Sequence, residues 1–136
     1  MGNLSNKANY DYDEKRTPTP TGITAELFAE VATTQGIERR QISDEEILDR
    51  CLLPMINEGA KILEEGIAVR ASDIDVTYVY GYGWPVYRGG PMHYANTMGL
   101  DKVLAKIRHY HESTGDAFWA PSPLLVSLAE QGKHFK

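Results

Sequence analysis

The run from Ser43 to Gly66 constrains the fold of this 136-residue chain more than any other stretch. Ser43 is followed three residues on by Glu46, the pattern of a reciprocal helix cap, and Asp44 and Glu45 stand where the positive end of a helix dipole favours acids. Ile47, Leu48, Cys51, Leu52, Met55, Ile56, Ala60 and Leu63 then recur at helical spacing on one broad face. Such a face predicts a long core helix wrapped by its neighbours. Pro54 lies inside it, and its ring displaces the carbonyl of Arg50, so a bend is expected there. Cys51 on that face reads as a small buried hydrophobe, not a nucleophile.

The second organising stretch runs from Ser72 to Pro91. Ser72 and Asp75 have the spacing of a capping box. Ile74, Val76, Tyr78 and Tyr80 alternate, which would suit a strand equally well. The cap favours a helix. Gly81, Gly83, Gly89 and Gly90 then open backbone angles closed to other residues, while Pro85 and Pro91 fix φ, so the following loop is shaped. Tyr82, Trp84 and Tyr87 are its apolar anchors.

Residues 1–22 are polar and carry Pro18 and Pro20, which predicts an extended arm or connector. From Thr24, the spacing of Ile23, Leu27, Phe28 and Val31 predicts a short helix stopped by Gly36. A charged strap with Glu38, Arg39 and Arg40 leads into the core helix. Beyond the aromatic loop, Pro91 suits the first turn of a helix through Met98, closed by Gly99. Asp101 to Glu112 follows with Val103, Leu104 and Ile107 inward and Gly115 at its end. Asp116 to Pro121 reads as a packed turn, and Ser122 caps a last helix that begins with Pro123 and carries Leu124, Leu125 and Leu128. The expected architecture is all-α, with a single helical domain over 23–136 and no sheet required.

A formal charge of −5 disfavours nucleic acid and anionic membranes as partners. The single cysteine and the lack of an apolar run of about 18 residues point to a reducing compartment and no membrane span. The terminal His134-Phe135-Lys136 differs from a peroxisomal Ser-Lys-Leu address, and the expectation is a cytoplasmic protein. Gly81-Tyr82-Gly83 resembles part of a dinucleotide fingerprint, but Val86 stands where its third small residue belongs. The four histidines lack ligand-spaced partners, so no metal site is expected. Arg88 beside Gly89 and Gly90 suits either a phosphate or the carbonyls of its own loop. The residues themselves form no catalytic constellation. Arg88, Tyr82, Trp84, Tyr87, Met92 and His93 are the candidates for ligand binding or an interface.

Several segments carry a resemblance. Asn57-Glu58-Gly59-Ala60, Leu63-Glu64-Glu65-Gly66, Ala71-Ser72-Asp73-Ile74-Asp75 and Gly81-Tyr82-Gly83-Trp84-Pro85 with Arg88-Gly89-Gly90-Pro91-Met92 follow one another in the order found in one family. The chain resembles the C-terminal helical domain of L-3-hydroxyacyl-CoA dehydrogenases, above all the second, terminal copy of that domain in multifunctional fatty-acid β-oxidation proteins. Tyr10-Asp11-Tyr12 and Arg16-Thr17-Pro18-Thr19-Pro20 look like the connector between copies, and Pro121-Ser122-Pro123-Leu124-Leu125 looks like the last helix. The resemblance implies a parent that oxidises L-3-hydroxyacyl-CoA with NAD, whose Rossmann domain carries the cofactor and the catalytic His-Glu pair. It implies no cofactor on this chain and, as partners, the Rossmann and first helical domains of the parent. The family's helical domain offers an asparagine before an arginine early in its first long helix. Here Asp49-Arg50 occupies those places, so the amide donor is replaced by a carboxylate. The implied role is a catalytically silent scaffold and interface domain. A stand-alone acyl-CoA or small-ligand binding module is the alternative, and a symmetric homodimer through the aromatic loop is the simplest closure of an uncovered face.

Overall fold

The computed structural model describes residues 10–12, 14, 17–20 and 22–136. They fall into two compact units, one ending at Gln41 and one running from Ile42 to Lys136. The first helix therefore groups with the arm, and the division lies after Gln41 where the sequence suggested one after residue 22.

In the first unit β1 (Tyr10–Tyr12) pairs antiparallel with β2 (Pro18–Pro20), Asp11 opposite Thr19. The expected extended arm is thus paired, a two-stranded ribbon in a chain read as needing no sheet. Prolines at both ends of β2 fix φ in the extended range, and a two-stranded ribbon has free edges where their missing N–H groups do no harm. The remainder of the arm lies outside the described residues. α1 (Gly22–Thr34) follows, with only Thr24 and Ala32 buried.

The second unit is all-α, as expected: α2 (Asp44–Glu64), α3 (Ala71–Gly81), α4 (Pro91–Met98), α5 (Leu100–Thr114) and α6 (Pro123–Glu130), with single helical turns at Val86–Arg88 and Ala117–Trp119. Ser43 caps α2, its Oγ accepting from the Glu46 N–H at 3.2 Å. The Glu46 carboxylate accepts from Arg50 Nε at 2.8 Å, one turn on. The helix runs through Pro54 without a break.

The broad apolar face of α2 is shared between two surroundings. Leu53, Ile56 and Ala60 are buried in the core, Leu53 at 1% exposure. Leu48, at 58%, lies on the other edge with Leu52 and Met55, and Ile47 and Cys51 are exposed. Two expectations are corrected here: Leu53, absent from the expected face, is buried while Leu52 on that face is only half-buried, and Cys51 is not a buried thiol. The face is wider than the packed helices cover. Gly59 lies where α2 passes α4 so closely that a Cβ there would stand 2.5 Å from Met92 Sδ.

α3 is a helix, but its cap differs from the expected one. Asp73, not Ser72 or Asp75, caps it, accepting from the Arg70 N–H at 3.0 Å and pairing with the Arg70 guanidinium at 2.8 Å. The core closes with Ile74, Met92, Ala95, Val103, Ile107 and Leu125. Tyr110 and Trp119 stack at 4.8 Å between ring centres. Two asparagines fasten loops to this core. Asn57, 4% exposed, donates to the Ala120 carbonyl at 2.9 Å and accepts from the Ser122 N–H at 2.8 Å. Asn96 bridges the N–H and carbonyl of Phe135 in the same way, at 2.9 and 3.0 Å.

Candidate functional site

The uncovered edge of α2 faces α3 and the aromatic loop across an apolar groove of about 640 Å³. Leu48, Leu52 and Met55 lie at i, i+4 and i+7 and form one wall, because that spacing keeps side chains on one helix face. Tyr78 and Tyr82, again one turn apart, form the other, with Trp84, Pro85 and Tyr94 at the floor and end. The aromatic rings hold one another in place: Tyr78 and Tyr82 at 5.3 Å, Trp84 edge-on to Tyr78 at 6.3 Å and to Tyr94 at 6.2 Å. Trp84 Nε1 is buried and has no hydrogen-bond partner among the described residues. Arg88 is the one charged residue of the lining. Its guanidinium lies 5.4 Å from the Tyr87 ring centre, and no described carboxylate pairs with it.

Of the candidate residues, Tyr82, Trp84 and Arg88 come together in this groove. Tyr87 and His93 join Arg88 around a smaller hollow of about 330 Å³ next to it. Tyr82 and Tyr87 are 76% and 83% exposed. Met92 is not with them: at 0% exposure it belongs to the core, because the second position of α4 faces α2. Leu48, Leu52, Met55 and Tyr94 enter the groove without having been singled out for it. The width of the α2 stripe was the signal that one packing neighbour would not cover it.

Asp75 holds the loop in shape. Its Oδ1 accepts from the Met92 N–H at 2.7 Å and its Oδ2 from the His93 N–H at 3.1 Å, a carboxylate at the start of α4. Burial pushes its pKa up against the opposing pull of those amides. Gly90, at φ +96°, passes so close that a Cβ would collide with Asp75.

Asp49 lies away from the groove lining, in a polar cluster. Lys106 Nζ donates to both its oxygens, at 2.7 and 3.0 Å, and to Glu45 at 2.9 Å. Tyr110 Oη donates to Asp49 at 3.4 Å, and the Arg50 guanidinium lies 4.9 Å from the Tyr110 ring centre. The hydrogen bonds that Lys106 donates to Asp49 and Glu45 hold its pKa well above the ordinary lysine value. The Tyr110 hydroxyl is pushed up by burial and by the nearby Asp49 charge. Both Asp49 oxygens therefore serve an ion pair between α2 and α5.

Gly81-Tyr82-Gly83 ends α3 and leads into Trp84 and a single turn. A dinucleotide fingerprint needs a strand before it and a helix N-terminus directly after, so these residues do not fit the pyrophosphate of NAD. No group of three or more His, Cys, Asp or Glu among the described residues is arranged to hold a metal. No described helix is long and apolar enough to cross a membrane.

Comparison with known proteins agrees with this architecture. The peroxisomal bifunctional enzyme of Homo sapiens is 43% identical and that of Danio rerio 40% identical, each over 97% of this chain. The fatty acid oxidation complex subunit alpha of Colwellia psychrerythraea is 30% identical over 99% of it. The chain spans only about a fifth of the length of these relatives, 18–19%. The crystal structure of the dehydrogenase part of multifunctional enzyme 1 from C. elegans superposes with a TM-score of 0.58 at 28% identity, covering 89% of this chain and 29% of that one. Residues 47–136, from the first turn of α2 to the final lysine, match the family model described as 3-hydroxyacyl-CoA dehydrogenase, C-terminal domain, and the chain belongs to that family.

Proposed function

We propose that this chain is the helical scaffold and interface domain of an NAD-dependent L-3-hydroxyacyl-CoA dehydrogenase of fatty-acid β-oxidation, and that it turns over no substrate by itself. The observation that carries the proposal is the environment of Asp49. At the position where the family's asparagine would offer an amide donor, this chain has a carboxylate tied to Lys106 and Tyr110. A carboxylate held in an ion pair accepts hydrogen bonds and donates none to a substrate oxygen. The short share of the relatives' length supports the same reading, since the rest of such a protein has room for cofactor and substrate domains. NAD would then sit on the parent's Rossmann domain. The partners in this proposal are that domain and the first helical domain. The relatives named for peroxisomes and glyoxysomes weigh towards such an organelle as the parent's compartment, alongside the cytoplasm expected from the sequence.

One observation favours the second reading, an acyl-CoA or small-ligand module. Arg88 has no acid partner among the described residues, and it lies on an apolar groove. Calorimetric titration of the chain with NADH and with a medium-chain acyl-CoA separates the two. The scaffold proposal expects no saturable heat from either, whereas saturable acyl-CoA binding that Arg88→Ala abolishes would replace it.

A further inference from the structure

α6 ends on a reversal of the chain. Gly132, at φ +63°, donates its N–H to the Ala129 carbonyl at 3.2 Å, and the Lys133 N–H reaches the Leu128 carbonyl at 2.9 Å. The segment that leaves this turn is in neither helix nor strand, and its side chains alternate: His134 is exposed, Phe135 is 5% exposed, Lys136 is exposed. Phe135 joins the buried cluster that holds Ala71, Ile74 and Leu125. Its N–H donates to Asn96 Oδ1 at 2.9 Å and its carbonyl accepts from Asn96 Nδ2 at 3.0 Å. A side-chain amide that exchanges both bonds with one residue pairs with its backbone as a neighbouring strand does, whatever that residue's side chain. One residue on, the Lys136 carbonyl accepts from the Ala71 N–H at 2.7 Å, one of the donors that the first turn of α3 leaves unpaired.

We propose that Asn96, the start of α3 and the apolar seat of Phe135 form a peptide-binding site, that residues 133–136 occupy it as a ligand tethered by α6, and that they leave and return while the helices of the second unit stay packed. The ligand class is an extended segment with one aromatic side chain facing in and polar neighbours facing out. Backbone pairing supplies the hold and the seat of the aromatic ring supplies the selectivity, the same division as in recognition by strand addition. Separability follows from what the segment contributes to the core. It brings one buried side chain, whereas Leu53, Ile56, Met92, Val103 and Ile107 all come from helices. A stretch with few buried contacts opens well below the limit set by global unfolding. All of these residues lie in the unit from Ile42 to Lys136, so the placement of the two units does not enter. The scaffold proposal concerns turnover and cofactor binding, and either proposal can fail without the other.

The first measurement is native-state amide exchange on the full chain. The N–H groups of Phe135 and Ala71 are expected to exchange through one common opening, at least about tenfold more populated than the opening that releases Ile56 and Ile107. The second measurement uses a shortened chain that stops after Lys133, followed by nuclear magnetic resonance. This chain is expected to melt cooperatively, with the Ala71 N–H and Asn96 side-chain signals displaced from their positions in the full chain. An acetylated peptide of residues 131–136 is expected to return both signals saturably, at about millimolar concentration, the range in which a short tether would present it. Phe135→Ala in the peptide, or Asn96→Ala in the shortened chain, should weaken binding at least about tenfold, whereas His134→Ala in the peptide should change it less than about threefold. Exchange of Phe135 and Ala71 only together with Ile107 overturns the proposal and makes the segment an inseparable part of the fold. A shortened chain that no longer melts cooperatively overturns it in the same way. So does a folded shortened chain whose signals the peptide leaves unmoved at every soluble concentration.

Discussion

Replacing Asn57 by alanine removes a side chain that ties the loop before α6 to the core helix at two points. Its amide makes two bonds, to the Ala120 carbonyl and from the Ser122 N–H, and Ser122 is fully buried. Each bond contributes about 1 kcal/mol net, and the orphaned buried N–H adds about 1 kcal/mol at the low end of its range, so the loss is at least about 3 kcal/mol. Against a total of roughly 5–15 kcal/mol that is a large fraction. For a unit of this size it corresponds to a fall in Tm of roughly 12–24 °C. Asn57→Asp keeps the acceptor for Ser122 but sets an acid oxygen against the Ala120 carbonyl, with the Glu64 carboxylate 3.4 Å from Ser122 Oγ. It should be no better than alanine at neutral pH and should recover in part in acid, where a protonated carboxyl can donate again. Lys61→Ala is the control, because its exposed pair with Glu58 is worth less than about 1 kcal/mol. Urea unfolding followed by circular dichroism reads all three. An Asn57→Ala midpoint within experimental error of the parent would refute the reasoning that this amide is the fastening of the loop.

The two edges of α2 should respond differently: Leu53→Ala is expected to cost about 2–5 kcal/mol in urea unfolding, while Leu52→Ala, on the groove side, costs less than half as much. Gly90→Ala forces a Cβ into Asp75 at a positive φ and is expected to destabilise by about 1–3 kcal/mol in the same assay. Because burial raises the Asp75 pKa, the folded state holds its proton more tightly than the unfolded chain does. Its contribution to stability is therefore greatest below the ordinary aspartate range and declines as pH rises through the raised folded value. Asp75→Asn cannot titrate, so its stability plotted against pH across the carboxylate range should lack that decline.

The helix starts were legible where their signals are local. Ser43, Pro91 and Ser122 each act within three residues of themselves, and α2, α4 and α6 begin where they say. Asp75 misled because its partners are 17 and 18 residues away on α4, while the nearer Asp73 caps α3. Periodicity assigned α2 its apolar face, but how much of that face the neighbours cover is a property of packing. That is why Leu53 is buried while Leu52 is only half-buried. Met92 was grouped with the aromatic residues by composition, and only the direction of α4 puts it in the core. Asn57 was visible as part of a family motif, yet its role depends on a loop 63 and 65 residues later in the chain. The groove was half legible: the aromatic loop announced Tyr82 and Trp84, and Arg88 followed from its neighbours, but the α2 wall did not.

The central claim, a family domain that is silent without the rest of its parent, is tested most directly by turnover. The purified chain, given NAD and 3-hydroxybutyryl-CoA at high concentration, is predicted to produce no NADH above the enzyme-free rate. Asp49→Asn, which restores the family's amide, is predicted to leave that result unchanged, because the resemblance assigns the catalytic His-Glu pair and the cofactor to the parent's Rossmann domain. Saturable NADH production that copurifies with the chain and changes with substitution at Asp49 would contradict the account.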